Sequence, residues 1–244
     1  MKNRLFLAVI ALMIICGCMV FTSASLFAQG EEGAEEIESK DISLWDTIKA
    51  GGPIEFVIIL LSVAALALII ENFVTLKVEN YLPHDLLMDY EELLETQNYE
   101  EALSIGDAED CMLSRVFTAG LIKQGAGFGS VEDAVHDAAS AEIGRLQSKI
   151  GVLALIANVA PMLGLLGTVT GMIIAFNKIA TTANPTPGDL AYGISQALIT
   201  TCTGLIVAIP VSAAFFFLRN RVSQVSNELA IVAGDFLDRF RVES

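Results

Sequence analysis

Two long apolar runs, residues 150–176 and 190–218, contain no acidic or basic side chain. A helix needs about 20 apolar residues to cross the hydrocarbon core of a bilayer. Backbone amides find no water there and must pair within the segment, so runs of this length are expected to be helices. A third run, 54–76, has Glu55 and Glu71 near its two ends. The chain is 54% hydrophobic, and its mean hydropathy of +0.61 is that of an integral membrane protein. The formal net charge of −15 argues against a nucleic acid as partner.

The beginning of the chain reads as an export signal, residues 1–25. Lys2 and Arg4 precede an apolar run from Leu5 to Phe21, and Ser23, Ala24 and Ser25 supply small residues at the spacing that a signal peptidase reads. An uncleaved signal anchor and a lipoprotein signal using Cys18 are the alternatives. Residues 26–53 form an acidic periplasmic segment. Its part 42–50 patterns as a short amphipathic helix, with Trp45 as an interfacial anchor. The expected fold is an all-α integral membrane protein, with three transmembrane helices after a cleaved signal peptide and long helices extending into the cytoplasm.

Residues 77–149 are hydrophilic and helical in pattern. Leu86, Leu87, Tyr90, Leu93 and Leu94 recur at helical spacing, a second helix fits 110–124, and a third is expected to start near Ser130. Ser130 and Asp133 have the spacing of a capping box. Val131, Val135, Ala138, Leu146 and Ile150 share one side of that helix, and no breaker separates it from the span at 150–176. Residues 177–189 make a tight reversal, rich in proline and glycine. In 219–244, Val222, Val225, Leu229, Val232, Phe236 and Phe240 continue the last helix past the membrane. Lys77, Arg145, Lys149, Arg219 and Arg221 flank one side of the spans, and Lys178 lies on the other. The positive-inside rule therefore places 77–149 and the C-terminus in the cytoplasm.

Within the spans, small and hydroxyl residues fall in rows. Ala157, Pro161, Gly164, Thr168, Gly171 and Ala175 step by three and four, as do Ala197, Thr201, Gly204 and Ala208. Gln196, Thr200 and Thr203 make a neighbouring polar face. Gly164, Gly167, Gly171 and Gly204 suit close helix packing. Pro161 and Pro210 free backbone carbonyls that hydroxyls or water can satisfy. Thr168, Thr170, Thr200, Thr201 and Gln196 are the candidate lining of a proton path. A threonine hydroxyl donates and accepts but does not change charge near neutral pH, and a membrane proton relay ordinarily uses Asp, Glu or His. If these helices line such a path, another chain must bring the carboxylate.

Nothing in the chain points to an enzyme, a cofactor or a metal. The four cysteines (Cys16, Cys18, Cys111 and Cys202) offer no disulfide framework, and His84 and His136 stand apart from any ligand cluster. The stretch GAGFG at 125–129 lacks the lysine of a phosphate-binding loop and reads as a turn.

The stretch NVAPMLGLLGTVTGM at 158–172, followed by Ala175 and Phe176, resembles the second span of the ExbB/TolQ/MotA proton-channel family. The stretch GISQALITTCTGLIVAIP at 193–210 resembles its third span. Three spans with one large cytoplasmic segment resemble the ExbB/TolQ branch. The resemblance implies a homo-oligomer, a pentamer, in the bacterial inner membrane. It implies an ExbD/TolR-like single-span partner with a membrane aspartate, and a TonB- or TolA-like periplasmic effector driven by the proton gradient. It places Thr168 and Thr201 opposite the partner's aspartate. Two positions depart from the family's pattern: Gln196 stands where glutamate is frequent, and Thr170 where tryptophan is. A self-sufficient small-solute transporter and a membrane scaffold are the competing readings.

Overall fold

The computed structural model describes residues 52–241 apart from 183 and 185. The signal peptide and the acidic segment with its amphipathic helix, apart from its last two residues, lie outside the described residues. The elements among the described residues are helices, with no strand: α1 Gly52–Thr75, α2 Val78–Tyr81, α3 His84–Glu95, α4 Tyr99–Ala108, α5 Met112–Ile122, a 3-10 turn Gln124–Ala126, α6 Phe128–Thr181 and α7 Pro187–Arg241. Three of them, α1, α6 and α7, are long and apolar enough to cross a membrane.

The chain divides into two compact units, and α1, α6 and α7 each contribute to both. The first contains 52–69 and 153–214. On α1 its buried stripe is Glu55, Ile58, Ala65 and Ile69, a helical repeat of three and four. The opposite faces are apolar and exposed, with Phe56 at 68%, Leu155 at 62%, Met162 at 67% and Leu198 at 65%. That pattern suits a surface facing lipid or another apolar subunit.

The second unit contains 70–152 and 215–244. Phe117 of α5 stacks on Phe236 of α7 with ring centroids 4.3 Å apart, and Tyr90 of α3 meets Phe117 edge-on at 5.1 Å. Val131, Val135, Leu146 and Ile150 of α6 are buried here, and Ala138 is only partly so. Glu142, also buried, accepts from Arg115 Nε at 2.9 Å and Nη2 at 2.8 Å, and from Arg145. Arg115 also pairs with Asp110. Hydrogen bonding to Glu142 raises the guanidinium's pKa above its ordinary value. Arg221 donates to the carbonyls of Phe73 and Leu76 at 3.2 and 3.3 Å, and its charge lies 4.9 Å from the Phe73 ring centroid. A cation there complements the negative end of the α1 dipole.

The structure departs from the sequence reading at two local points. Helix α6 begins at Phe128, so Ser130 lies inside its first turn and donates to the Ala126 carbonyl at 3.4 Å; it does not form the expected capping box. The turn before it uses Gly127 at a φ of +92°, a conformation that glycine adopts without a steric penalty. Helix α4 is a second addition of the structure, since the apolar pattern of 99–108 does not predict it.

Candidate functional site

The candidate site is the seam between α6 and α7 in the first unit. Its geometry is set by glycine. A Cβ at Gly171 would sit 2.6 Å from the Gly193 carbonyl oxygen, and one at Gly193 would sit 2.7 Å from the Gly171 oxygen. One at Gly204 would lie 2.7 Å from the Ala160 oxygen, and one at Gly167 would overlap the Thr200 side chain. The two backbones touch, which only small residues permit. The buried face of α6 is Leu153, Ile156, Ala160, Gly164, Gly167, Gly171 and Ala175. Gly164, Gly171 and Ala175 fall on it as the sequence places them. Ala157, Pro161 and Thr168 are only partly buried, one position off the seam.

The threonines divide by what their hydroxyls bond. Thr168 donates to the Leu165 carbonyl at 2.6 Å, and Thr170 to Leu166 and Gly167 at 3.0 Å. Thr200, fully buried, donates to the carbonyls of Gln196 and Ala197 at 3.2 and 3.0 Å. These bonds stay within one helix. Thr201 crosses the seam: its hydroxyl lies 3.1 Å from the Gly164 carbonyl and 3.2 Å from that of Ala197. Gly164 thus opens the space at which Thr201 reaches the facing backbone. Pro161 and Pro210 each sit inside a continuous helix, and the hydroxyl bonds described here go to other carbonyls than those the prolines free.

On its other side α7 faces α1. Gln196 is buried, and its amide nitrogen would lie 2.7 Å from a Cβ built on Gly52. Glu55, one turn further along α1, is 3% exposed and has the Thr203 hydroxyl as a hydrogen-bonding neighbour. In the sequence Glu55 stands near the end of a span, and nothing next to it in the chain marks its burial. The available signal was its register with Ile58, Ala65 and Ile69.

Residues 108–231, which hold both sides of the seam, match the MotA/TolQ/ExbB proton channel family. The chain belongs to this family. It is 36% identical over 107 residues to the Tol-Pal system protein TolQ of Haemophilus influenzae, covering 44% of this chain and 45% of that one. It is 38% identical over 114 residues to the biopolymer transport protein ExbB of Xanthomonas campestris, covering 47% and 45%. A putative biopolymer transport protein ExbB homolog of Methanothermobacter thermautotrophicus is 35% identical over 102 residues, covering 42% and 36%. The matched stretch spans less than half the length of each of these relatives. Gln196, Thr200 and Thr201 fall inside the family match, and Glu55 falls outside it.

Proposed function

We propose that this chain is the channel or stator subunit of an energy-transducing complex in the bacterial inner membrane. The complex couples the proton gradient to work on a TonB- or TolA-like periplasmic effector. The observation that carries the reading is Thr201 bridging to Gly164 across a glycine seam that lies wholly within the family match. The lining is hydroxyl and amide: Thr168, Thr170, Thr200, Thr201 and Gln196. Such groups pass hydrogen bonds along but do not change charge. A single-span partner of the ExbD/TolR kind, bringing a membrane aspartate, completes the path. Several copies of this chain, five in the proposed assembly, surround it. The N-terminus faces the periplasm after signal cleavage and the C-terminus faces the cytoplasm, as the basic flanks require. The chain is a channel component and not an enzyme.

The test is purification from native membranes, followed by reconstitution with a pH-sensitive dye inside the vesicles. A co-purifying single-span protein with a buried aspartate is expected, with proton flux only when both are present. Thr201→Val is expected to abolish flux while the complex stays assembled. The lost cross-helix bond is worth only about 0.6 kcal/mol in a membrane. Full flux in Thr168→Val and Thr201→Val would remove the role given to these hydroxyls. The buried Glu55 supports a second reading, a transporter that brings its own intramembrane charge. Flux from this chain alone would favour it.

A further inference from the structure

From the packing around Glu55 we infer that the chain carries its own proton-binding group, in its first span and outside the family-matched residues. This rests on the proposed function, and it alters the division of labour between the subunits. Glu55 is buried on the packed stripe of α1, and its Oε2 has no hydrogen-bond partner. It pairs with no cation among the described residues. The other described side chains of this unit that can carry charge are Lys178, Tyr192 and Cys202, and all three are exposed. The groups facing the carboxyl from α7 are neutral. A buried carboxyl with one open oxygen is costly to keep, and inside a membrane such a group marks an ion pathway by default.

The neighbouring hydroxyl gives the site two states. Thr203 has one proton to donate, and its Oγ1 lies 3.0 Å from the Ile199 carbonyl. When Glu55 is ionised, the hydroxyl turns its proton to the carboxylate. When Glu55 holds a proton, the carboxyl donates to Oγ1 and the hydroxyl gives its own proton to Ile199. Each state keeps the hydroxyl bonded and its own O–H intact, and the proton taken up or released is the one on the carboxyl, whose O–H bond forms or breaks with it. Gln196, packed against Gly52 a turn before Glu55, flanks the site with an amide. In this division of labour Glu55 takes up and releases a proton within this chain, and the partner's aspartate of the proposed function is the second carboxyl of the path.

The test uses the intact complex in native membranes with dicyclohexylcarbodiimide, which modifies protonated carboxyls in apolar surroundings. Peptide mass spectrometry is expected to find Glu55 modified, less so as pH rises, and unmodified after Glu55→Gln. No modification of Glu55, or modification indifferent to pH, would overturn the proposal. In reconstituted vesicles Glu55→Gln is expected to lose proton flux and Glu55→Asp to retain part of it. Adding Gln196→Glu to Glu55→Gln is expected to restore part of what was lost. Full flux from Glu55→Gln beside an inactive Thr201→Val would overturn this inference and leave the proposed function standing. Full flux from both would overturn this inference and remove the role given to the Thr201 hydroxyl as well. Flux that requires sodium and depends on Glu55 would make this a metal-cation site and overturn the proton assignment. Should the variants not assemble, the labelling of the unaltered complex decides.

Discussion

The two units are held together by opposite means. In the first, α6 and α7 meet backbone to backbone at Gly171 and Gly193, and large apolar side chains such as Leu165 and Leu198 point outward. In the second, Phe117, Phe236 and Tyr90 fill the interior, and Arg115, Glu142 and Arg145 form ion pairs. The difference follows from the solvent that each unit suits. Water drives large apolar groups inward. Lipid tails give them no such preference, so helices associate by close approach and interhelical hydrogen bonds. Size is what stabilises one unit, and its absence is what stabilises the other.

The hardest blow to this contrast is Phe117→Ala. Phe117 is 2% exposed between two rings, and removing a buried Phe costs about 3–5 kcal/mol. Urea titration of the purified protein in detergent, followed by circular dichroism, is expected to lose that much in the transition assigned to this unit. A loss below about 1 kcal/mol would mean that the aromatic stack is not its core.

Glycine gives the converse test, with opposite signs at two places on one helix. A Cβ at Gly171 meets the Gly193 carbonyl, while a Cβ at Gly144 meets nothing within 4 Å. Gly171→Ala must push the two helices apart, at about 1–3 kcal/mol for overpacking. Gly144→Ala restricts the unfolded chain and is expected to gain about 0.4–1 kcal/mol. The melting temperatures of the two variants should move in opposite directions. Equal shifts would show that the glycine seam does not hold α6 to α7.

The same contrast explains what was legible in the sequence. The spans were plain because a run such as 190–218 contains no charge. Leu86, Tyr90 and Leu94 marked α3 because in water an amphipathic face is visible against polar neighbours. Inside a span no such contrast exists, since both faces are apolar, and the rows of small residues were the remaining guide. They located Gly164 and Gly171 on the seam but set Pro161 and Thr168 one position too close to it. Helix α4 escaped because its core positions are modest: Ala102 is the residue it buries completely. Asn98, with its side chain 2.5 Å from Glu101, and Gln97 at a φ of +55° mark the break before it. Glu55 looks like a terminal charge in the sequence, because its burial depends on Gln196 and Thr203, some 140 residues away.

The smallest expected effect concerns a pair that is easily overvalued. Lys149 Nζ lies 3.0 Å from Glu71, with side chains 36% and 57% exposed. A bridge this open gains little, because solvent screens both partners and two long side chains lose freedom to form it; the usual worth is about 0–1 kcal/mol. Glu71→Gln is expected to change the unfolding midpoint slightly, and any change should vanish as salt is raised. Glu142, whose side chain is 8% exposed between Arg115 and Arg145, gives the comparison within the same unit. Glu142→Gln leaves two guanidinium groups without the carboxylate they converge on, and its cost should persist in high salt. Equal salt sensitivity in the two variants would mean that Glu142 is as open to solvent as Glu71, and the ion pairs would then lose their share in holding the second unit together.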